Sequence, residues 1–127
     1  MHYYVTFALL LVAVTAFAGE PGVGERLYRR YCASCHGVGG RGDGPAAEAL
    51  SPRPPDLTAL TSTVPELMSE IDGSRAIRGH GSATMPVWGE VFAATALPSQ
   101  HARRTALLTV REISEYVHGL RKGGTLR

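Results

Sequence analysis

Cys32-Ala33-Ser34-Cys35-His36 places two thiols at i and i+3, with an imidazole directly after the second. This C-x-x-C-H spacing is that of covalent haem attachment. The chemistry sets the spacing. Cys32 and Cys35 would add across the two vinyl groups on one edge of the ring, giving two thioethers. His36 would then bring a ring nitrogen to the iron, for which neutral imidazole is a good donor. Other uses of a C-x-x-C pair fit less well. A thioredoxin-like couple expects a βαβ context, and no strand pattern precedes Cys32. A closed zinc site needs a second pair of ligands, whereas the chain has only 2 cysteines. A Cys32–Cys35 disulfide would close a very small loop, where chain-entropy stabilisation is least.

Upstream, residues 1–18 stand apart. Val5 to Ala18 is uncharged and apolar, and it ends in Ala16-Phe17-Ala18, the small-x-small pattern of a signal-peptidase site. The stretch is shorter than the about 20 residues a membrane-spanning helix needs. It reads as a cleaved export signal, the alternative being an uncleaved anchor. Residues 19–127 then form one small domain, expected in the periplasm or otherwise secreted across the cytoplasmic membrane. Thioethers suit that compartment, since they leave no thiol to oxidise. The net charge of +2 comes without a dense Lys/Arg run, so nucleic acid is not an expected partner.

Gly22 to His36 reads as helix, with Val23, Leu27 and Tyr31 on one face and Tyr28 on its flank. Gly24 is unfavourable inside a helix, and its presence predicts a close crossing with another helix. The run Gly37, Gly39, Gly40, Gly42, Gly44 lacks the Lys-Ser/Thr and the preceding strand of a phosphate loop. It is expected to wrap a flat ligand. Pro45 would fix a corner there, its carbonyl free to accept the second imidazole N–H of His36. A short helical turn over 45–50 is followed by an extended, proline-stiffened Ser51–Thr58. Pro65–Arg78 reads as a helix with Leu67 and Ile71 inward and Gly79 as its stop.

Met85-Pro86-Val87-Trp88-Gly89 follows as a loop. Buried methionine is usually core filling, but a loop methionine locked by a proline is suited to present its thioether in one direction. Met68, on a helix, reads as packing; His80, His101 and His118 are rival nitrogen ligands. From Pro98 the tail is helical, with Ala106, Val110, Ile113, Val117 and Leu120 in one apolar stripe. Thr109-Val110-Arg111-Glu112 also fits a capping box, leaving one long helix or two. Basic residues outnumber acidic ones from Arg103 onward, ending in Arg121, Lys122 and Arg127. That pattern is read as either a docking patch or a solvated face.

Together C-A-S-C-H-G at 32–37, G-R-G-D-G-P at 40–45, P-P-D-L-T at 54–58, M-P-V-W-G at 85–89 and E-I-S-E-Y-V at 112–117 resemble a class I c-type cytochrome of the monohaem cytochrome c family. The resemblance covers residues 22–121, while segment 90–108 is longer than the family's usual connection. It implies an all-α, small cytochrome c fold of three to five helices around one covalent haem c, with the N- and C-terminal helices crossing at Gly24 and Tyr28 against Ile113 and Tyr116. It also implies Cys32 and Cys35 as attachment points, His36 as proximal and Met85 as distal ligand, and Pro45 as the proline whose carbonyl holds His36. The implied role is a non-enzymatic one-electron carrier with redox proteins as donor and acceptor and no small-molecule substrate. A subunit or electron-input module of a larger oxidoreductase, associated with a membrane complex, is the alternative. A thiol–disulfide oxidoreductase would instead be colourless, with two titratable thiols.

Overall fold

Gly24 has no side chain, and that lets the first helix lie directly on the last. In the computed structural model, which describes residues 20–73, 85–95 and 101–121, α1 spans Val23–Tyr31. Glu25 sits in its first turn and Arg29 and Arg30 in its last, each charge complementing the helix dipole. A Cβ at Gly24 would overlap the Glu112 carbonyl and come within 3.0 Å of Tyr116 Cβ. The expected crossing is therefore present, made by Tyr116 and the Glu112 backbone. The buried face of α1 accordingly centres on Gly24 and Tyr28. This corrects the expected inward Val23, which is 50% exposed: close approach at Gly24 rotates Val23 outward and leaves Leu27 and Tyr31 partly buried.

The helix does not run unbroken to His36. It ends at Tyr31, and a four-residue helix α2, Ala33–His36, follows Cys32. The Cys32 carbonyl accepts from both Cys35 N–H (3.2 Å) and His36 N–H (2.9 Å), tightening the chain into a separate turn. A 3₁₀ turn at Ala47–Ala49 matches the expected turn over 45–50, and Leu57–Ala59 forms a second, so the extended segment stops at Asp56. Asp56 caps that second turn through Thr58 N–H at 2.8 Å.

Helix α3, Val64–Asp72, buries Leu67 and Ile71 as expected. Its start is a reciprocal cap: the Glu66 carboxylate accepts from Thr63 N–H and Thr63 Oγ1, both at 2.8 Å. Its end is earlier than expected. Gly73 takes φ 83°, the left-handed conformation in which glycine terminates helices. The expected stop Gly79, with Arg75, Ala76, Ile77, Arg78 and His80, lies outside the described residues, as do the expected signal segment 1–18 and Lys122 and Arg127.

The loop expected at 85–89 becomes a helix at its fourth residue. The Val87 carbonyl accepts from Glu90 N–H (3.1 Å) and Val91 N–H (3.2 Å), opening α4, Trp88–Thr95. Phe92 is its buried residue, and α4 occupies the start of the long 90–108 connection. Helix α5, Ala102–Leu120, is continuous. Thr109 does not cap a new helix, because its hydroxyl donates back to Thr105 O at 3.0 Å. Its buried face is Ala106, Val110, Ile113, Ser114 and Val117: the expected stripe with Leu120 only partly buried, plus a serine whose hydroxyl donates to Val110 O at 2.8 Å.

The fold is all-α, a small cytochrome c fold, and no strand occurs among the described residues. Helix α5 is the common wall against which α1, α3 and α4 pack. Tyr28 and Tyr116 join α1 to α5 with ring centroids 5.1 Å apart, and Tyr31 meets Phe92 of α4 at the same distance, edge to face. Replacing Gly24 by Leu forces a branched side chain into the α1–α5 crossing. The variant should lose roughly 1–3 kcal/mol of stability through overpacking, read by chemical denaturation; an unchanged midpoint would mean the helices do not meet there.

Candidate functional site

The turn at Cys32–His36 is held by the chain that follows it. Gly42 N–H donates to His36 O (2.9 Å), Gly44 N–H to Cys35 O (3.2 Å) and Ala46 N–H to Ser34 O (2.9 Å). Three consecutive carbonyls of the turn are thus satisfied by three alternate amides of the loop. A Cβ at Gly44 would lie 2.7 Å from Ala33 O and from the Cys35 carbonyl carbon, so a side chain there would push the loop off. The glycine run therefore wraps the attachment turn. It does not wrap the ligand face, as had been expected, because none of residues 37–49 reaches the cleft described below.

Tyr28 braces the same turn from α1. Its buried hydroxyl donates to Gly37 O at 2.7 Å, and burial pushes its pKa well above the usual tyrosine value, so it stays a donor. This bond, one residue beyond His36, was not foreseen; the only hint was a tyrosine one helical turn before Cys32.

A cleft opens beside the turn, with about 920 Å³ of empty space when the open solvent at its mouth is included. Cys32, Cys35 and His36 line it from the attachment turn, Leu67 and Ile71 from α3, Met85 and Trp88 from the segment entering α4, and Ile113 and Val117 from α5. Leu50, Pro52, Arg53, Pro54, Pro55 and Leu57 complete the wall. The proline-stiffened stretch, read only as an extended connection, is thus the side of the cleft that the glycine loop was expected to supply. His36 is 9% exposed, and Met85 is half-buried.

Met68 packs against the core and does not line the cleft. Nor do His101, at the start of α5, and His118, in its last turn. His80 lies outside the described residues. Pro45 is exposed, but the amides on either side of it, Gly44 and Ala46, are both bonded to the turn.

Two close approaches fix the segment that leads from Met85 into α4. Val87 lies on the terminal glycine of α3, since a Cβ at Gly73 would sit 2.6 Å from Val87 Cγ1. A Cβ at Gly89 would sit 2.8 Å from Asp72 O. The end of α3 and the start of α4 are in backbone contact there.

The donor set and the cleft fit a haem: two thiols at the required spacing, an imidazole and a thioether line one largely apolar cleft, the chemistry a covalently held haem requires. The fit to thiol–disulfide exchange is poor. Burial, with Cys35 adding to it, pushes the Cys32 thiol up to about 12, whereas reactive redox cysteines are lowered toward or below neutrality. The thiols are not joined as a disulfide.

Fold and cleft together define a class I c-type cytochrome carrying one haem c, with Cys32 and Cys35 in the attachment spacing. A family model described as "Cytochrome C oxidase, cbb3-type, subunit III" matches residues 19–97, and the chain belongs to that family. No curated protein and no solved structure matches the chain. The family match stops before α5, although Ile113 and Val117 of that helix close the cleft. Such a domain transfers electrons.

Gly44→Ala should loosen the loop from the turn and lower the covalent haem carried per chain, read as the ratio of Soret to protein absorbance. Gly39→Ala, with nothing within 4 Å of the added methyl, should leave the ratio unchanged. Equal ratios in both variants would mean that the loop does not hold the turn.

Proposed function

We propose that this protein is a monohaem one-electron carrier working outside the cytoplasm, with His36 and Met85 as the two axial ligands. The observation that carries the reading is the convergence of Cys32, Cys35, His36 and Met85 on one apolar cleft. Haem bound there supplies an iron that takes up and gives back one electron without making or breaking a bond to substrate.

The residues do the rest. Cys32 and Cys35 would hold the ring on the α2 turn, and His36, buried and fixed by the Gly42 bond to its carbonyl, would present its imidazole. Pro45, between two amides pinned to that turn, is placed to orient His36 through its carbonyl, a contact that favours one imidazole tautomer. Met85 is aimed by Pro86 and by the backbone contact of Gly89 with Asp72. With His36 and Met85 as its ligands, a haem held here would keep no open site for oxygen or peroxide, and the methionine would raise its reduction potential. Leu57, Leu67, Ile71, Ile113 and Val117 keep water from the ring.

Export is supported by the thioether chemistry, by the small-x-small end of residues 1–18 and by a family match that begins at residue 19. No helix among the described residues is long and apolar enough to cross a membrane. A second reading, a haem subunit of a larger respiratory complex, is favoured by the family's description as a subunit of a cbb3-type oxidase. Co-purification from its own membranes separates the two: a free carrier elutes alone, a subunit with its complex.

Met85→Ala should open a coordination position. The ferrous variant should bind carbon monoxide, its reduction potential should fall, and the weak long-wavelength sulfur-to-iron band should vanish from the oxidised spectrum. Met68→Ala should leave all three as in the wild type. An unchanged Met85→Ala spectrum would remove Met85 as a ligand and the high-potential carrier with it.

A further inference from the structure

The cleft is apolar except for two charged side chains among its described lining, Arg53 and Glu70. Their surroundings differ. Arg53 is exposed at the rim, set in the rigid Pro52-Arg53-Pro54-Pro55 segment. Glu70 is half-buried, on α3 between the inward-facing Leu67 and Ile71, so its carboxylate lies along the edge of a buried helix face. Its hydrogen-bond donor is a hydroxyl, Ser62 Oγ, at the long distance of 3.5 Å. The same serine's backbone carbonyl accepts from Arg121 at 2.9 Å. The ion pairs among the described residues are Glu25–Arg29 and Glu115–Arg111, neither of them involving Glu70.

We infer that Glu70 is the residue that holds the reduction potential of this centre down, and that Arg53 acts on the same centre in the opposite direction. The inference rests on the reading of the cleft as the haem site of an electron carrier. Reduction adds one electron and takes the iron from ferric to ferrous; no proton or bond is exchanged. A fixed carboxylate beside the cleft favours the more positive, oxidised centre, and a fixed guanidinium favours the reduced one. Charge at a low-polarity wall is screened far less than charge at the open surface, where salt damps it within about 8–10 Å. Burial and local charge are among the levers by which a protein sets a haem potential. Here Glu70 opposes the rise that a methionine ligand brings.

The test is an equilibrium redox titration at neutral pH on the holoprotein and four variants. Glu70→Gln keeps size and shape and removes the charge, so its midpoint should rise. Glu70→Asp keeps the charge and should stay nearer the wild type. Arg53→Gln should lower the midpoint. Glu90→Gln, on the exposed side of α4 and outside the cleft lining, removes an equal charge and should shift it least. A Glu70→Gln shift that is downward, or no larger than that of Glu90→Gln, overturns the inference. Carbon monoxide binding by wild-type ferrous protein would overturn the ligand assignment instead, while the ordering of the midpoints still decides Glu70.

Discussion

Three backbone hydrogen bonds, from Gly42, Gly44 and Ala46 to the carbonyls of His36, Cys35 and Ser34, are the constraint on which this structure depends. The thiols and the imidazole can serve one ring only if the turn bearing them has a single conformation. Four residues of helix cannot hold themselves. The loop supplies what the helix lacks, and its glycines are spent on closeness: at Gly44 a methyl would strike the turn. Tyr28 adds a fourth tie, buried and protonated, so that α1 and the turn move as one body. The cleft is the space left between that body and the wall made by α3, α4 and α5.

Helix α5 performs two tasks with one face. Toward its C-terminal half, Ile113 and Val117 close the cleft, and Tyr116 on the flank meets α1 at Gly24 and Tyr28. Attachment turn and distal wall are thereby fixed relative to each other through one rigid element. The same economy appears at the α3–α4 junction, where Gly73 leaves room for the Val87 side chain and Gly89 lets α4 approach the Asp72 backbone. His36 and Met85, the two ligands proposed above, are distant in the chain, and each lies beside a helix end packed against its neighbours.

Much of this was legible in the residues. C-x-x-C-H encodes chemistry at fixed spacing, the α5 stripe repeats with the helical period, and Gly24 is costly unless something approaches it. These signals are local or periodic, and all three are present in the fold. The misses share a cause: they depend on which segment meets which. The glycine loop was assigned to the ligand because flexibility and closeness look alike in sequence; its amides instead serve the turn, and prolines line the cleft. Val23 was placed inward by period, but the crossing at Gly24 sets the rotation of α1. Gly73, six residues before the expected Gly79, ends α3, and Thr63-x-x-Glu66 caps its start. Glu70 looked like any polar helix residue, since only the packing of α3 brings it to the cleft wall.

The claim on which everything rests is one haem joined to Cys32 and Cys35 in this fold. Intact-mass spectrometry tests it most directly, on denatured protein made in a host with haem-attachment machinery and washed in acid-acetone. The account predicts a single species heavier than the mature polypeptide by one whole haem, since addition across two vinyl groups loses no atom. A species at the bare polypeptide mass, or lighter by the two hydrogens of a disulfide, would contradict it.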